Sequence, residues 1–342
     1  MLTSTNTHKN SLKVGIIGGG SWGTTVASLV SRNCSTILWA RDNNTVDEIN
    51  KFHRNEKYLS GFKLNELLKA SVSLKETLKE ADVVVMGVPT QCSRSVLEEA
   101  KPFIRPWVPI ISLSKGLEQG TKMRLTEIIE ETLPGHPIGV LTGPNLAKEI
   151  LQGQAAAAVL AMVDIKIAQA LQQVFRTGLF RVYTNDDVIG CEIAGALKNV
   201  IAIAVGMGDG MGAGDNTRSG VITRGLAELT RLGVALGGKP MTFAGLAGMG
   251  DLIATCTSSL SRNRYVGVQL GMGRKINDII NEMSMVAEGV KTSMVVYELA
   301  KERGIEMPIA SEVYRVVNDQ STAYEAFKGL LKTKSGAESD PG

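Results

Sequence analysis

Lys198 sits in CEIAGALKNVIAIAVG, a segment apolar almost all the way round. A helix of that kind is buried, and a lysine on it reaches water only with difficulty. Burial disfavours the ammonium form, which brings an amine toward proton exchange near neutral pH. The alternative is a lysine whose stem snorkels to a surface. Further along, TFAGLAGMGDLIATCTSSLSRNR places Asp251 after a glycine run and Arg262–Asn263 at the start of a helix. Arginine and asparagine beside free helix N–H groups suit a phosphate. Asp251 suits orienting Lys198 or accepting a hydroxyl proton, against the duller reading of a solvated loop carboxylate. Lys115 in SLSKGLE, and Gly143 and Asn145 in TGPNLAKE, follow strands, where open α/β sheets bind ligands. Cys256 offers a thiol, but no histidine adjoins it in sequence to activate it.

A second chemistry is written near the start. Gly18, Gly20 and Gly23 of GGGSWG form G-x-G-x-x-G directly after an apolar run and before a helical one. The first glycine allows the turn, the second lets backbone approach a diphosphate, and the third lets helix pack on strand. On its own the motif also fits a plain tight turn; its context favours dinucleotide binding. The following strand ends TILWARD. Arg41 stands where a guanidinium meets a 2′-phosphate, and Asp42 where a carboxylate meets ribose hydroxyls. NADP(H) is therefore favoured over NAD(H) without excluding it.

The elements that must hold these residues change character once. Lys13–Ile17, Thr36–Trp39, Ala81–Val88, Val108–Leu113, Ile138–Leu141 and Ala155–Met162 are short runs lacking polar alternation, separated by helical stretches. They predict a doubly wound, mostly parallel sheet covered on both faces, a Rossmann-like α/β domain over residues 11–190. From Val188 the apolar positions Ile189, Ile193, Leu197, Val200, Ile201 and Ala204 recur at helical spacing. Amphipathic stretches follow at Thr223–Leu236, Arg264–Gly271, Ile276–Met283 and Thr292–Arg303, and they predict an all-helical substrate-binding domain over residues 191–335.

Composition removes other classes. The 342 residues, 44% hydrophobic and 21% charged, describe a globular chain of two domains. A net charge of +3, mixed along the chain, and 5% aromatics argue against a nucleic-acid partner. Cys34, Cys92, Cys191 and Cys256 show no metal spacing, and neither His53 nor His136 has a near ligand partner, so no metal site is expected. Scattered thiols fit a cytoplasmic protein. The leader MLTSTNTHKNS, with His8, is no secretory signal, the tail KTKSGAESDPG reads as frayed, and no run of about 18 apolar residues predicts membrane insertion.

Taken together, KVGIIGGGSWGT, SKGLE, TGPNLAKE, EIAGALKNVIAIAVG, GDNT with ITRGLAE, AGLAGMGDLIATCTSSLSRNR and VAEGVKT resemble the bacterial-type NAD(P)-dependent glycerol-3-phosphate dehydrogenases over nearly the whole chain. The resemblance implies reversible reduction of dihydroxyacetone phosphate to sn-glycerol 3-phosphate, for glycerophospholipid synthesis, by a cytoplasmic homodimer. It implies that Lys198 is the proton acceptor in the oxidative direction and that Lys115 meets substrate and cofactor. Gly143, Asn145, Asp251, Ser261, Arg262 and Asn263 then touch substrate, with Arg262 shared by the cofactor. Ser21, Trp22, Arg41, Ala147, Val286 and Glu288 touch the cofactor. Where this chain has Asn145–Leu146 the family usually has Ser-Phe. Two other readings share part of the pattern: a β-hydroxyacid dehydrogenase with a helical lysine, and a non-catalytic NADPH-binding regulator.

Overall fold

A computed structural model describes residues 12–283 and 285–332. The leader with His8 and the polar tail beyond residue 332 lie outside the described residues. The chain forms two compact units. The first runs to Ser114 and resumes over Leu125–Val188; the second takes Lys115–Arg124 and the chain from Ile189 onward.

The first unit is built on eight strands: β1 (Lys13–Ile17), β2 (Ser35–Trp39), β3 (Lys69–Ser71), β4 (Val83–Met86), β5 (Ile110–Ser112), β6 (Ile138–Thr142), β7 (Ala156–Met162) and β8 (Phe180–Asn185). Their order is β3-β2-β1-β4-β5-β6-β7-β8, parallel except where β7 runs antiparallel to β6. The order reverses at β1, whose Ile17 is level with Trp39 of β2 on one side and Met86 of β4 on the other. That reversal is the switch point at which such sheets bind dinucleotides. Central strands are apolar on both faces because helices cover both: Val83, Val84, Val85 and Met86 are all essentially inaccessible.

Six of the eight strands coincide with the apolar runs of the sequence. The two others are edges. Strand β3 has three residues, and β8 alternates buried Phe180 and Val182 with exposed Arg181 and Tyr183. A sheet edge is half solvated, so its sequence lacks the continuous apolar signal.

The second unit is helical, and its axis is Val188–Gly210, 23 residues long. Its length and mean hydropathy of 1.8 would suffice to cross a bilayer, although Glu192 and Lys198 break the apolar run. Within the protein 89% of an 18-residue apolar window of that helix is buried, the environment of a core helix. Packed in the same core are Leu229, Leu252, Val266, Val295 and Val313, from five further helices.

Candidate active site

The glycine turn leaves β1 with Gly18 at φ +123°, a conformation open to glycine at little cost. A Cβ there would stand 2.6 Å from the Gly87 carbonyl at the end of β4, so the turn passes hard against the neighbouring strand. Gly23 is closed in the same way, 2.1 Å from the Gly18 oxygen. Gly20 differs: nothing lies within 4 Å of its Cβ position. One face of the turn is packed and the other is open to a ligand. Gly20 also precedes the Ser21–Val30 helix, whose first N–H groups receive no side-chain cap. Those groups, with the helix dipole, favour a diphosphate. The buried Trp22 indole N–H has no acceptor among the described residues. The turn therefore fits the diphosphate of a dinucleotide on its own geometry.

At the end of β2 the structure separates the two candidates for the ribose. Asp42 caps the Asn43–Asp47 helix: it accepts from Asn44 N at 3.0 Å and from the Thr45 hydroxyl at 3.2 Å, with Lys57 Nζ at 3.6 Å. Arg41 is exposed. At the end of β6, Gly143 takes φ +124°. Asn145 follows with both amide atoms buried and without a partner among the described residues, and Ala147 begins the next helix.

In the second unit the charged residues converge. Asp251 is 2% exposed and Lys198 4%. The two carboxylate oxygens of Asp251 divide between lysines: Oδ1 lies 2.7 Å from Lys198 Nζ, and Oδ2 accepts from Lys115 Nζ at 2.7 Å. Lys198 also donates to the Thr255 hydroxyl at 2.5 Å, and that hydroxyl donates to the Asp251 carbonyl at 2.6 Å. Burial pushes the Lys115 ammonium down to about 8, with the Lys198 charge adding to the effect and Asp251 opposing it. Two lysines meet one carboxylate here, a cationic cluster suited to an anionic substrate.

Beside this cluster lies a second knot. Asn199 donates to the Lys115 carbonyl at 2.8 Å, Asn263 donates to Asn199 Oδ1 at 2.8 Å, and Asn263 Oδ1 accepts from Gly289 N at 3.0 Å. The Asn263 amide is thus tied on both sides, leaving one Nδ2 hydrogen to offer. Ser261 caps the Arg262–Gly271 helix by accepting from Arg264 N at 3.2 Å. Arg262 is exposed and spends one guanidinium nitrogen on the Val286 carbonyl at 2.8 Å. Glu288 begins the Glu288–Arg303 helix two residues after Val286.

Lys115, expected within the dinucleotide domain of residues 11–190, instead packs with Lys198 and Asp251 in the second unit. Thr255 and Asn199 join them unforeseen. Thr255 lies four residues after Asp251 on one helix, a spacing the sequence does display, and Asn199 is simply the neighbour of Lys198. Burial pushes the Cys256 thiol up to about 12, away from the thiolate form that a nucleophile needs.

The sequence matches the NAD-dependent glycerol-3-phosphate dehydrogenase N-terminus over residues 13–168 and the C-terminus of the same family over residues 187–328. This chain belongs to that family. Glycerol-3-phosphate dehydrogenase [NAD(P)+] 2 of Sphingopyxis alaskensis is 63% identical over 97% of this chain and 99% of its own. Glycerol-3-phosphate dehydrogenase [NAD(P)+] 1 of Mycobacterium tuberculosis H37Rv is 57% identical, with 97% of each chain covered. The crystal structure of glycerol-3-phosphate dehydrogenase from Coxiella burnetii superposes with a TM-score of 0.89 at 36% identity, covering 94% of this chain and 99% of that one. The dehydrogenase is an enzyme acting with NAD(P) on glycerol 3-phosphate. Neither the hydroxyacid dehydrogenase nor the non-catalytic regulator describes it.

Proposed function

We propose that the second unit of this dehydrogenase binds the three-carbon phosphate and handles the proton, while the first binds the dinucleotide. The observation that carries this reading is Asp251 held between the Lys198 and Lys115 ammonium groups in a buried site. Bound on the glycine turn, NADPH or NADH supplies a hydride from C4 of its nicotinamide ring. Lys198 polarises the ketone of dihydroxyacetone phosphate and delivers its Nζ proton to the oxygen as the carbon–hydrogen bond forms; in oxidation it takes that proton back. Asp251 fixes the direction of Lys198 Nζ, helped by Thr255, and compensates its charge. Lys115, Arg262, Asn263 and Ser261 hold the phosphate end, so that binding energy remote from the reacting carbon fixes its approach. Gly143 and Asn145 complete the substrate contacts; Ala147, Val286 and Glu288 complete those to cofactor.

NADP(H) is the preferred dinucleotide in this reading, because Asp42 is occupied by its helix cap and Arg41 is not. The product supplies the glycerol backbone of phospholipids. The reading also takes the enzyme as a cytoplasmic homodimer, following its family resemblance. Turnover of dihydroxyacetone phosphate with each reduced nicotinamide tests the assignment. Arg41→Ala is expected to lower the NADPH-over-NADH ratio of kcat/KM by about tenfold or more, the value of one charge-assisted contact. An unchanged ratio would exclude Arg41 from the 2′-phosphate.

A further inference from the structure

Asn55 lies 36 residues beyond the glycine turn and is fully buried. It precedes the Glu56–Leu59 turn of helix, the position at which an asparagine ordinarily caps its own helix by accepting from a backbone N–H. It makes no such cap. Glu48 accepts from Glu56 N instead, at 3.0 Å. The Asn55 side chain turns away and spends both Nδ2 hydrogens on the dinucleotide turn: one on the Gly19 carbonyl at 3.0 Å, the other on the Thr24 hydroxyl at 3.0 Å. Its Oδ1 is left buried with no donor among the described residues. A buried, unanswered carbonyl costs stability, so packing alone would favour an apolar side chain here. The orientation of the amide is unambiguous, because a backbone carbonyl can only accept.

We propose that Asn55 is a positioning residue for the cofactor's diphosphate. The stereochemistry is direct. In a trans peptide the carbonyl and the following N–H point in opposite directions, and no cis bond occurs among the described residues. Anchoring the Gly19 oxygen to Asn55 on the packed side turns the Gly20 N–H to the opposite, open side, where nothing stands within 4 Å of the Gly20 Cβ position. No hydrogen bond among the described residues occupies that N–H. Glycine needs this pin because it is free to rotate the peptide otherwise, and three glycines run consecutively here. The second bond, to Thr24 in the first turn of the Ser21–Val30 helix, locks the turn to the helix whose N–H groups would share the phosphate. The preorganised donor is what a mobile glycine run would otherwise have to order on binding.

The inference rests on reading Gly18–Gly23 as the diphosphate site, and its test separates the two. Calorimetric titration of the ligand-free protein would use NADPH, ADP-ribose (diphosphate without nicotinamide) and 2′-AMP (no diphosphate). Asn55→Leu keeps the volume and removes the donor; Asn55→Asp keeps the shape and sets a carboxylate against the Gly19 oxygen. Expected is a loss of about tenfold or more in affinity for NADPH and ADP-ribose in either variant, greater for N55D. Binding of 2′-AMP, the KM for dihydroxyacetone phosphate and the ligand-free melting temperature of N55L should stay at wild-type values. A folded N55L or N55D that binds ADP-ribose as wild type does would overturn the proposal, as would equal weakening of all three ligands, the mark of a general structural role. Failure of the wild-type protein itself to bind ADP-ribose would instead overturn the diphosphate reading, and the proposal with it.

Discussion

At the scale of the residue, the proposed chemistry turns on one buried carboxylate, Asp251, shared by the buried Lys198 and the half-buried Lys115. Lys115 and Lys198 meet Asp251 at equal distances of 2.7 Å, and burial pushes the Lys115 ammonium down to about 8. The sign of the consequence follows. Below about pH 8 Lys115 is an ammonium and, in its proposed role, attracts the substrate's phosphate; as the pH rises through that value the charge is lost. kcat/KM for dihydroxyacetone phosphate should therefore fall on an alkaline limb centred near pH 8, since this parameter reports the free enzyme. Lys115→Arg, charged at all working pH values, should move that limb upward even if it lowers the plateau. A limb that stays in place would show that a different group titrates. Lys198, Asp251 and Arg262 were legible in the sequence because a charge in an apolar or glycine-rich stretch is conspicuous. Asn199, Thr255 and Asn55 were not. They are neutral, and their significance lies in partners 84, 57 and 36 residues away.

At the scale of the element, close helix packing delivers those partners. A Cβ on Gly206 of the Val188–Gly210 helix would stand 2.1 Å from the Arg264 carbonyl, and one on Gly267 of the Arg262–Gly271 helix 2.1 Å from the Ile203 carbonyl. Gly210 and Gly271 repeat the arrangement one turn on, at 2.2 Å from Val268 O and 2.3 Å from Met207 O. Backbones in contact at these glycines let Asn199 and Asn263, on the same two helices, reach each other. Gly206→Ala should cost roughly 1–3 kcal/mol, as overpacking does, and should lower kcat/KM by displacing that pair. Gly208, whose nearest neighbour is Ala213 Cβ at 3.7 Å, is the control: Gly208→Ala should fold at least as well as wild type. Equal melting temperatures for the two variants would rule out the packing role. Helix periodicity announced both helices, but the glycine pairing involves residues far apart in sequence, and no local pattern marks it. The edge strands β3 and β8 differ: β3 has only three residues, and β8 alternates apolar and polar residues in place of the continuous apolar run that marks the other strands.

Across the whole molecule the proposed duties divide in their main parts, the dinucleotide turn in the first unit and the proton donor in the second. The first unit's sheet was readable from its continuous apolar strands, and its switch point falls where the glycine turn leaves β1. The second unit's boundary was less plain: Lys115–Arg124, which follows β5 in the chain, belongs structurally with the helices, and it brings Lys115 to Asp251. A ligand bound by one unit should thus survive damage to the proton donor in the other. The decisive measurement pairs NADPH binding, by fluorescence titration, with single-turnover reduction of dihydroxyacetone phosphate in Lys198→Ala. Expected is an NADPH dissociation constant within about twofold of wild type, with the reduction rate lowered by about 10²-fold or more, the loss typical of a positioned acid. A folded variant that reduces the ketone at a near-normal rate would contradict the assignment of Lys198 as the proton donor.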